Sequence, residues 1–141
     1  MDTQPKEKQP AHIVNMSDHF EITYLDMAAN ELFPVDNFIT HVEENGLILL
    51  EGRLKKSDDI PTDDGEWLKK VLFVREHNLW HYHIGYPSYD PGKPFGDRTS
   101  EYVLHLQRHP CGTKTTIVHW AKHPPFKLPS LECFTVTQRD E

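Results

Sequence analysis

Residues 79–86 read LWHYHIGY, residues 101–107 EYVLHLQ and residues 115–121 TTIVHWA, and these three stretches decide the fold. In each, side chains alternate with a period of two and β-branched or aromatic residues are frequent, the pattern of half-buried strands. The last two are joined by RHPCGTK, a short connection with Pro and Gly inside it that suits a hairpin. The first two are separated by the longer PSYDPGKPFGDRTS, rich in Pro and Gly. Strands connected in this way form an antiparallel sheet.

Upstream the period lengthens. Residues 67–76 place Trp67, Leu68, Val71, Leu72 and Val74 on a broad apolar face with lysines opposite. That is a helix, with Asp63 or Asp64 as its N-cap and Asn78 at the left-handed C-terminal position. Val71, Phe73 and Val74 leave a strand reading open. Residues 57–65 (SDDIPTDDG) are an acidic, turn-rich linker. After Pro34, residues 35–44 set Val35, Phe38, Ile39 and Val42 on one helical face, and Asn45-Gly46 is its stop signal. Residues 47–56 (LILLEGRLKK) space Leu47, Leu50 and Leu54 helically although Gly52 weakens the pattern, and they are read as the second arm of a helical hairpin. Residues 19–25 (HFEITYL) alternate Phe20, Ile22 and Tyr24 and read as a short strand. Helices followed by hairpin-connected strands make an α+β fold, with N-terminal helices packed on a small antiparallel β-sheet.

The 141 residues fit one domain. Residues 1–17, with prolines and charges but no apolar periodicity, read as a flexible N-terminal tail, and 18–141 as a single α+β domain. The tail has no apolar run of the signal-peptide kind and no stretch is long enough to span a membrane. Cys111 and Cys133 form no CxxC pair, which suits free thiols in a reducing compartment. The expectation is a cytoplasmic protein with no membrane partner.

The net charge of -7 hides an uneven distribution. Between His77 and Lys127 stand six basic residues (Lys93, Arg98, Arg108, Lys114, Lys122, Lys127) against three acidic ones (Asp90, Asp97, Glu101). Seven of the ten histidines fall in the same window. A cationic, histidine-rich face on an acidic body is suited to gripping a phosphate. Chance clustering on a solvated face is the plain alternative.

Strand alternation puts His81 and His83 on one face, with Trp80, Tyr82 and Ile84 on the other. Val103 and His105 share a face of the second strand, Ile117 and His119 a face of the third, and His123 follows just past its end. If the strands align as neighbours, His81, His83, His105 and His119 converge, rimmed by Arg98, Lys122, His123 and Lys127. Register decides this, and sequence leaves register open. Two chemistries use such a cluster. Metal-free RNA cleavage needs a base for the ribose 2′-hydroxyl, cations around the phosphate and an acid for the departing 5′ oxygen. On that reading His81 or His83 is the base, Arg98 and Lys122 clamp the phosphate, and His119 or His123 is the acid, with no cofactor. A metal-binding small-molecule enzyme of cupin type would instead use His81, His83 and His119. A third possibility is a non-catalytic partner-binding domain whose histidines tune affinity with pH. His77 and His109 read as solvent-exposed bystanders, His41 as a helix-surface residue, and His105 either as a site residue or as a hydrogen-bonded sheet residue. No P-loop, dinucleotide-binding glycine motif, cysteine zinc spacing or nucleophile elbow is present.

The helix WLKKVLFVRE, the strand LWHYHIGYP, the Pro- and Gly-containing loop, the strand TSEYVLHLQ and the His-Pro-Pro-Phe-Lys exit together span about half of the chain. This block resembles the YafO-type toxins of the RelE-like superfamily. The resemblance implies a RelE-like α+β fold and a toxin of a toxin–antitoxin pair. Its activity would be that of a ribosome-dependent endoribonuclease, a hydrolase-class mRNA interferase. Its partners would be mRNA on the ribosome and a cognate antitoxin. Familiar members are basic overall, whereas this chain is acidic and rich in histidine.

Overall fold

The computed structural model describes residues 12–137. Three strands carry the centre: β3 (Leu79–His83), β4 (Tyr102–Arg108) and β5 (Lys114–Lys122), an antiparallel meander. Two edges complete it. β1 (Ile13–Met16) pairs parallel with β5, and β2 (Leu54–Lys56) pairs antiparallel with β3, giving a mixed five-stranded sheet in the order β1-β5-β4-β3-β2. The helices are α1 (Asp18–Leu25), α2 (Ala29–Asn45) and α3 (Trp67–His77), followed by a 3-10 turn, η1 (Leu131–Phe134). The α+β class therefore holds, with a mixed sheet in place of a purely antiparallel one. No helix among the described residues is long and apolar enough to cross a membrane.

Four expectations change. First, residues 19–25 are helical. Ser17 caps α1, its Oγ accepting from the Phe20 amide at 3.2 Å and donating to the Val118 carbonyl at 3.3 Å. The apparent alternation does not match burial: Phe20 is fully buried while Ile22 is 72% exposed. Phe20 and Tyr24 are instead one helical turn apart, with ring centroids at 6.4 Å.

Second, α2 begins at Ala29, ahead of Pro34. The Glu31 carboxylate accepts from the Ala28 amide at 2.9 Å and so starts the helix early. Pro34 removes the donor that would reach the Asn30 carbonyl, and burial of Val35, Phe38 and Val42 offsets that loss.

Third, residues 47–56 are no helix. Leu49 adopts a left-handed φ of 58°, Leu50 turns into the core, and the chain enters β2. Gly52 is required here, because a side chain would run into the His83 carbonyl and the Tyr89 ring. Its amide donates to Tyr82 Oη at 3.0 Å. The helical hairpin is thus α1–α2, one element earlier than the sequence suggests.

Fourth, residues 13–16 of the expected tail form β1, and His12 Nε2 lies 2.7 Å from Thr115 Oγ1. The remainder of that tail, residues 1–11, lies outside the described residues.

α3 and its left-handed C-cap Asn78 (φ 50°) are as expected. Its N-cap position is Glu66, which makes no side-chain cap bond; Asp64 acts two residues ahead, accepting from the Glu66 amide at 2.8 Å.

The core lies between the α1–α2 hairpin and one sheet face. Phe20, Val35, Phe38 and Val42 meet Tyr82, Ile84, Leu104, Leu106 and Ile117. Phe38 stacks on Tyr82 with centroids 4.9 Å apart. The other face is the histidine face, roofed by Phe73 of α3 and by Phe126 in the segment after β5.

Candidate active site: a histidine cavity with a cationic wall

Register brings the histidines together. His81, His105 and His119 are successive Cα partners across β3, β4 and β5, with ring centroids 6.4 and 5.8 Å apart. A bulge between His105 and Leu106 makes this row possible. It leaves Val118 as the extra residue, so Ile117 pairs with Leu106 on the core face while His119 pairs with His105 on the other. Ile117 and His119 therefore do not share a face, contrary to the simple alternation of residues 115–121.

His83 stands one pleat along from His81, and the chain after β5 folds over both. The His123 amide donates to the Glu101 carbonyl at 2.8 Å, and the His123 ring stacks on His83 at 5.5 Å and lies 5.7 Å from His81. One ring nitrogen each from His81, His83 and His123 lies within 4.8 Å of the others. Outer contacts fix the rings. His81 Nδ1 is 2.9 Å from Ser57 Oγ. His83 Nδ1 is 3.0 Å from both the amide nitrogen and the carbonyl oxygen of Ser100, accepting from the first in one tautomer or donating to the second in the other.

This trio closes one end of a cavity of about 780 Å³. Its wall includes Arg53, Lys55, Lys56, Lys69, Lys70 and Lys127, against Asp59, Asp64 and Glu66. Lys55 pairs with Asp59 at 2.8 Å, Lys70 with Asp64 at 2.6 Å, Lys69 with Glu66 at 3.6 Å and Arg53 with Asp97 at 2.6 Å. Lys56 and Lys127 have no ion-pair partner among the described residues. The cavity is therefore net cationic.

Burial keeps the imidazoles neutral. It pushes His81 down to about 3, with the neighbouring His123 and His83 adding to the effect. His105 is also pushed to about 3 by burial first and by His119, His81 and His123 next. His83 and His123 are lowered too, chiefly by burial. Near pH 7 the cavity thus presents lone pairs that can take a proton or a cation.

Of the sequence candidates, His81, His83 and His123 meet. The others do not join them. Lys122 is the Cα partner of Tyr102, which puts it on the opposite face, and its ammonium pairs with Glu101 at 3.0 Å. Arg98 is engaged by Glu51 at 2.8 Å and by the Lys93 carbonyl at 3.0 Å, away from the cavity wall. His119 shares the face but ends the row beyond His105, 3.0 Å from His19 Nε2, and does not line the cavity. Lys127 does line it. His105 is a buried spacer beneath Phe126, with Nδ1 lacking a hydrogen-bond partner. The bystanders His77 and His109 are outside the cavity but engaged: His77 stacks on Phe134 at 4.8 Å, and His109 Nε2 is 2.9 Å from Thr116 Oγ1. His41 Nε2 bonds the Ile48 carbonyl at 2.6 Å.

Sequence reasoning missed the cations of residues 53–70. Lys55 is the Cα partner of His81, so a strand reading of EGRLKK would have turned Arg53 and Lys55 to the histidine face. Lys69 and Lys70 were assigned to the solvent side of α3, where the wall in fact lies. No protein-family model, curated protein or solved structure matches this chain.

Proposed function

We propose that the cavity is the active site of a metal-free endoribonuclease, the toxin of a toxin–antitoxin pair that cuts mRNA on the ribosome. The observation that carries the reading is the convergence of three imidazoles within 4.8 Å beside a wall with six cationic side chains. The resemblance of residues 67–130 to YafO-type toxins is consistent with it. A RelE-like fold is part of the same proposal, the α1–α2 pair preceding the strand meander being the order that resemblance implies.

Of the two base candidates His83 suits the role better, since burial holds His81 near 3: the neutral His83 imidazole takes the 2′-hydroxyl proton as that oxygen attacks phosphorus. The P–O5′ bond breaks, a 2′,3′-cyclic phosphate forms, and the departing oxygen receives a proton from a second imidazole. His123 suits this acid role, being the least buried of the three and carried on a loop at the mouth. The negative phosphate favours its protonated form, and like-charge repulsion keeps the other two neutral. Lys55, registered with His81, and Lys127 meet the phosphate charge in place of Arg98 and Lys122. A partner antitoxin would occupy this opening.

The test is induced expression in a bacterial host together with cleavage of mRNA on purified ribosomes. The parent is expected to arrest growth and to leave cyclic-phosphate ends, while His83→Ala and His123→Ala lose about 10²- to 10⁴-fold in rate. A harmless parent that cuts no RNA refutes the proposal.

A second reading is favoured by one specific feature. The outer nitrogens of His81 and His83 are held by Ser57 and Ser100, the arrangement that orients metal-bound imidazoles, and His123 Nδ1 is buried without a partner. The ligands would then be His81, His83 and His123, with His119 excluded by the intervening His105. Elemental analysis separates the readings: a stoichiometric transition metal lost in His81→Ala, with activity abolished by chelator, favours the metal enzyme.

A further inference from the structure

Outside the cavity, the far end of the histidine row meets a sulfur. His19 on α1, His119 on β5 and Cys133 in η1 each offer one ligand atom, and the three atoms lie within 4.8 Å of one another. His19 Nε2 and His119 Nδ1 are 3.0 Å apart, with ring centroids at 5.0 Å. Cys133 is a free thiol, 4% exposed, with its Sγ 3.6 Å from Ser130 Oγ. We infer that His19, His119 and Cys133 bind one thiophilic divalent transition-metal ion, of the zinc class.

Two imidazoles and a thiolate are the donor set that selects such ions over magnesium or calcium. Tetrahedral coordination with bonds of about 2.1 Å to nitrogen and about 2.3 Å to sulfur sets the donors roughly 3.5 Å apart, so the two nitrogens, now 3.0 Å apart, would separate slightly within a cluster that already lies inside 4.8 Å. Three protein donors leave the fourth position to water. Binding releases one proton, from the Cys133 thiol. The hydrogen now shared between the two imidazoles moves to the outer nitrogen of one ring by tautomer exchange, so neither ring changes charge.

The ion would join three elements that are distant in sequence. It would also fix both ends of the segment that carries His123, Phe126 and Lys127 over the cavity, since that segment runs from the end of β5 to η1. The site is separate from the cavity trio, with His105 standing between His119 and His81.

Cobalt(II) is the probe, titrated into chelator-treated full-length protein. The expected result is one sulfur-ligated cobalt per chain, read as a thiolate-to-cobalt charge-transfer band in the near ultraviolet and displaced by zinc. The band is expected to vanish in Cys133→Ser and in His19→Ala, and to persist in Cys111→Ser and His81→Ala. The cavity trio contains no sulfur and cannot produce it. Far-ultraviolet circular dichroism establishes that each variant is folded; His19, at the half-buried rim, provides the variant least disruptive to the core. Absence of the band in the parent overturns the inference, as does its survival in folded Cys133→Ser or His19→Ala, or its loss in Cys111→Ser. Either outcome leaves the test of RNA cleavage unaffected.

Discussion

Lowering the pH from 7 to 5 is expected to destabilise this protein steeply, through two buried histidines. His105 is 1% exposed and His81 6%, and burial holds both near 3, against 6.5 for a histidine in the unfolded chain. Between these values the unfolded state binds protons that the folded state refuses, so stability rises with pH and falls as the solution is acidified. Each group is present neutral at no cost above pH 6.5, and its contribution is lost progressively as pH drops through 6 toward 3. From pH 7 to pH 5 the loss is about 2 kcal/mol for each residue, or about 4 kcal/mol together. Urea unfolding followed by tryptophan fluorescence at pH 7, 6 and 5 measures it. His105→Leu, which fills the same buried space without a titrating group, should remove about 2 kcal/mol of the pH dependence. It should also remove the unpartnered Nδ1, so the variant is at least as stable as the parent at pH 5. A parent whose stability changes by less than about 1 kcal/mol over this range would refute the reasoning. So would a His105→Leu variant that keeps the parent's full slope.

Lys55→Gln and Lys127→Gln should each weaken single-stranded RNA binding and reduce the slope of log K against log salt by about 0.7, whereas Arg98→Gln and Lys122→Gln leave the slope unchanged. Fluorescence anisotropy at several salt concentrations reads this. Gly52→Ala forces a side chain into the His83 carbonyl and the Tyr89 ring and is expected to cost about 2–4 kcal/mol in urea unfolding. Its cleavage rate should fall as well, because the displaced strand carries His83. Ser17→Ala removes the α1 cap and the bond to Val118, costing about 1–2 kcal/mol in the same assay.

The strands of the meander were legible because their period of two is a local property, though the bulge at Val118 interrupts it in the last of them. So was α3, whose apolar stripe and left-handed Asn78 are both encoded within eleven residues and the next one. Residues 19–25 misled because alternation and a helical pair one turn apart coincide at Phe20 and Tyr24; only the Ser17 cap, tied to Val118, decides for the helix. Residues 47–56 misled because three leucines happen to fall at helical spacing. What excludes a helix there is the left-handed Leu49 and the approach of Gly52 to β3, neither visible without the partner strand. β1 has only four residues and no alternating pattern, and it exists because β5 offers it an edge.

By itself the sequence determined the α+β class, the three central strands and the concentration of histidines in and just after them. These follow from side-chain alternation and composition, which are local. The tertiary structure decided which histidines meet. The bulge at Val118 sends His119 into register with His105, and the chain's turn after β5 lays His123 over His81 and His83. It also exchanged the phosphate-binding candidates. Lys122 is thrown to the opposite face by alternation, Arg98 is taken by Glu51, and residues from β2 and α3 supply the wall. Contacts between strands far apart in sequence depend on register and on bulges, which are properties of pairs of segments and cannot be read from either one alone.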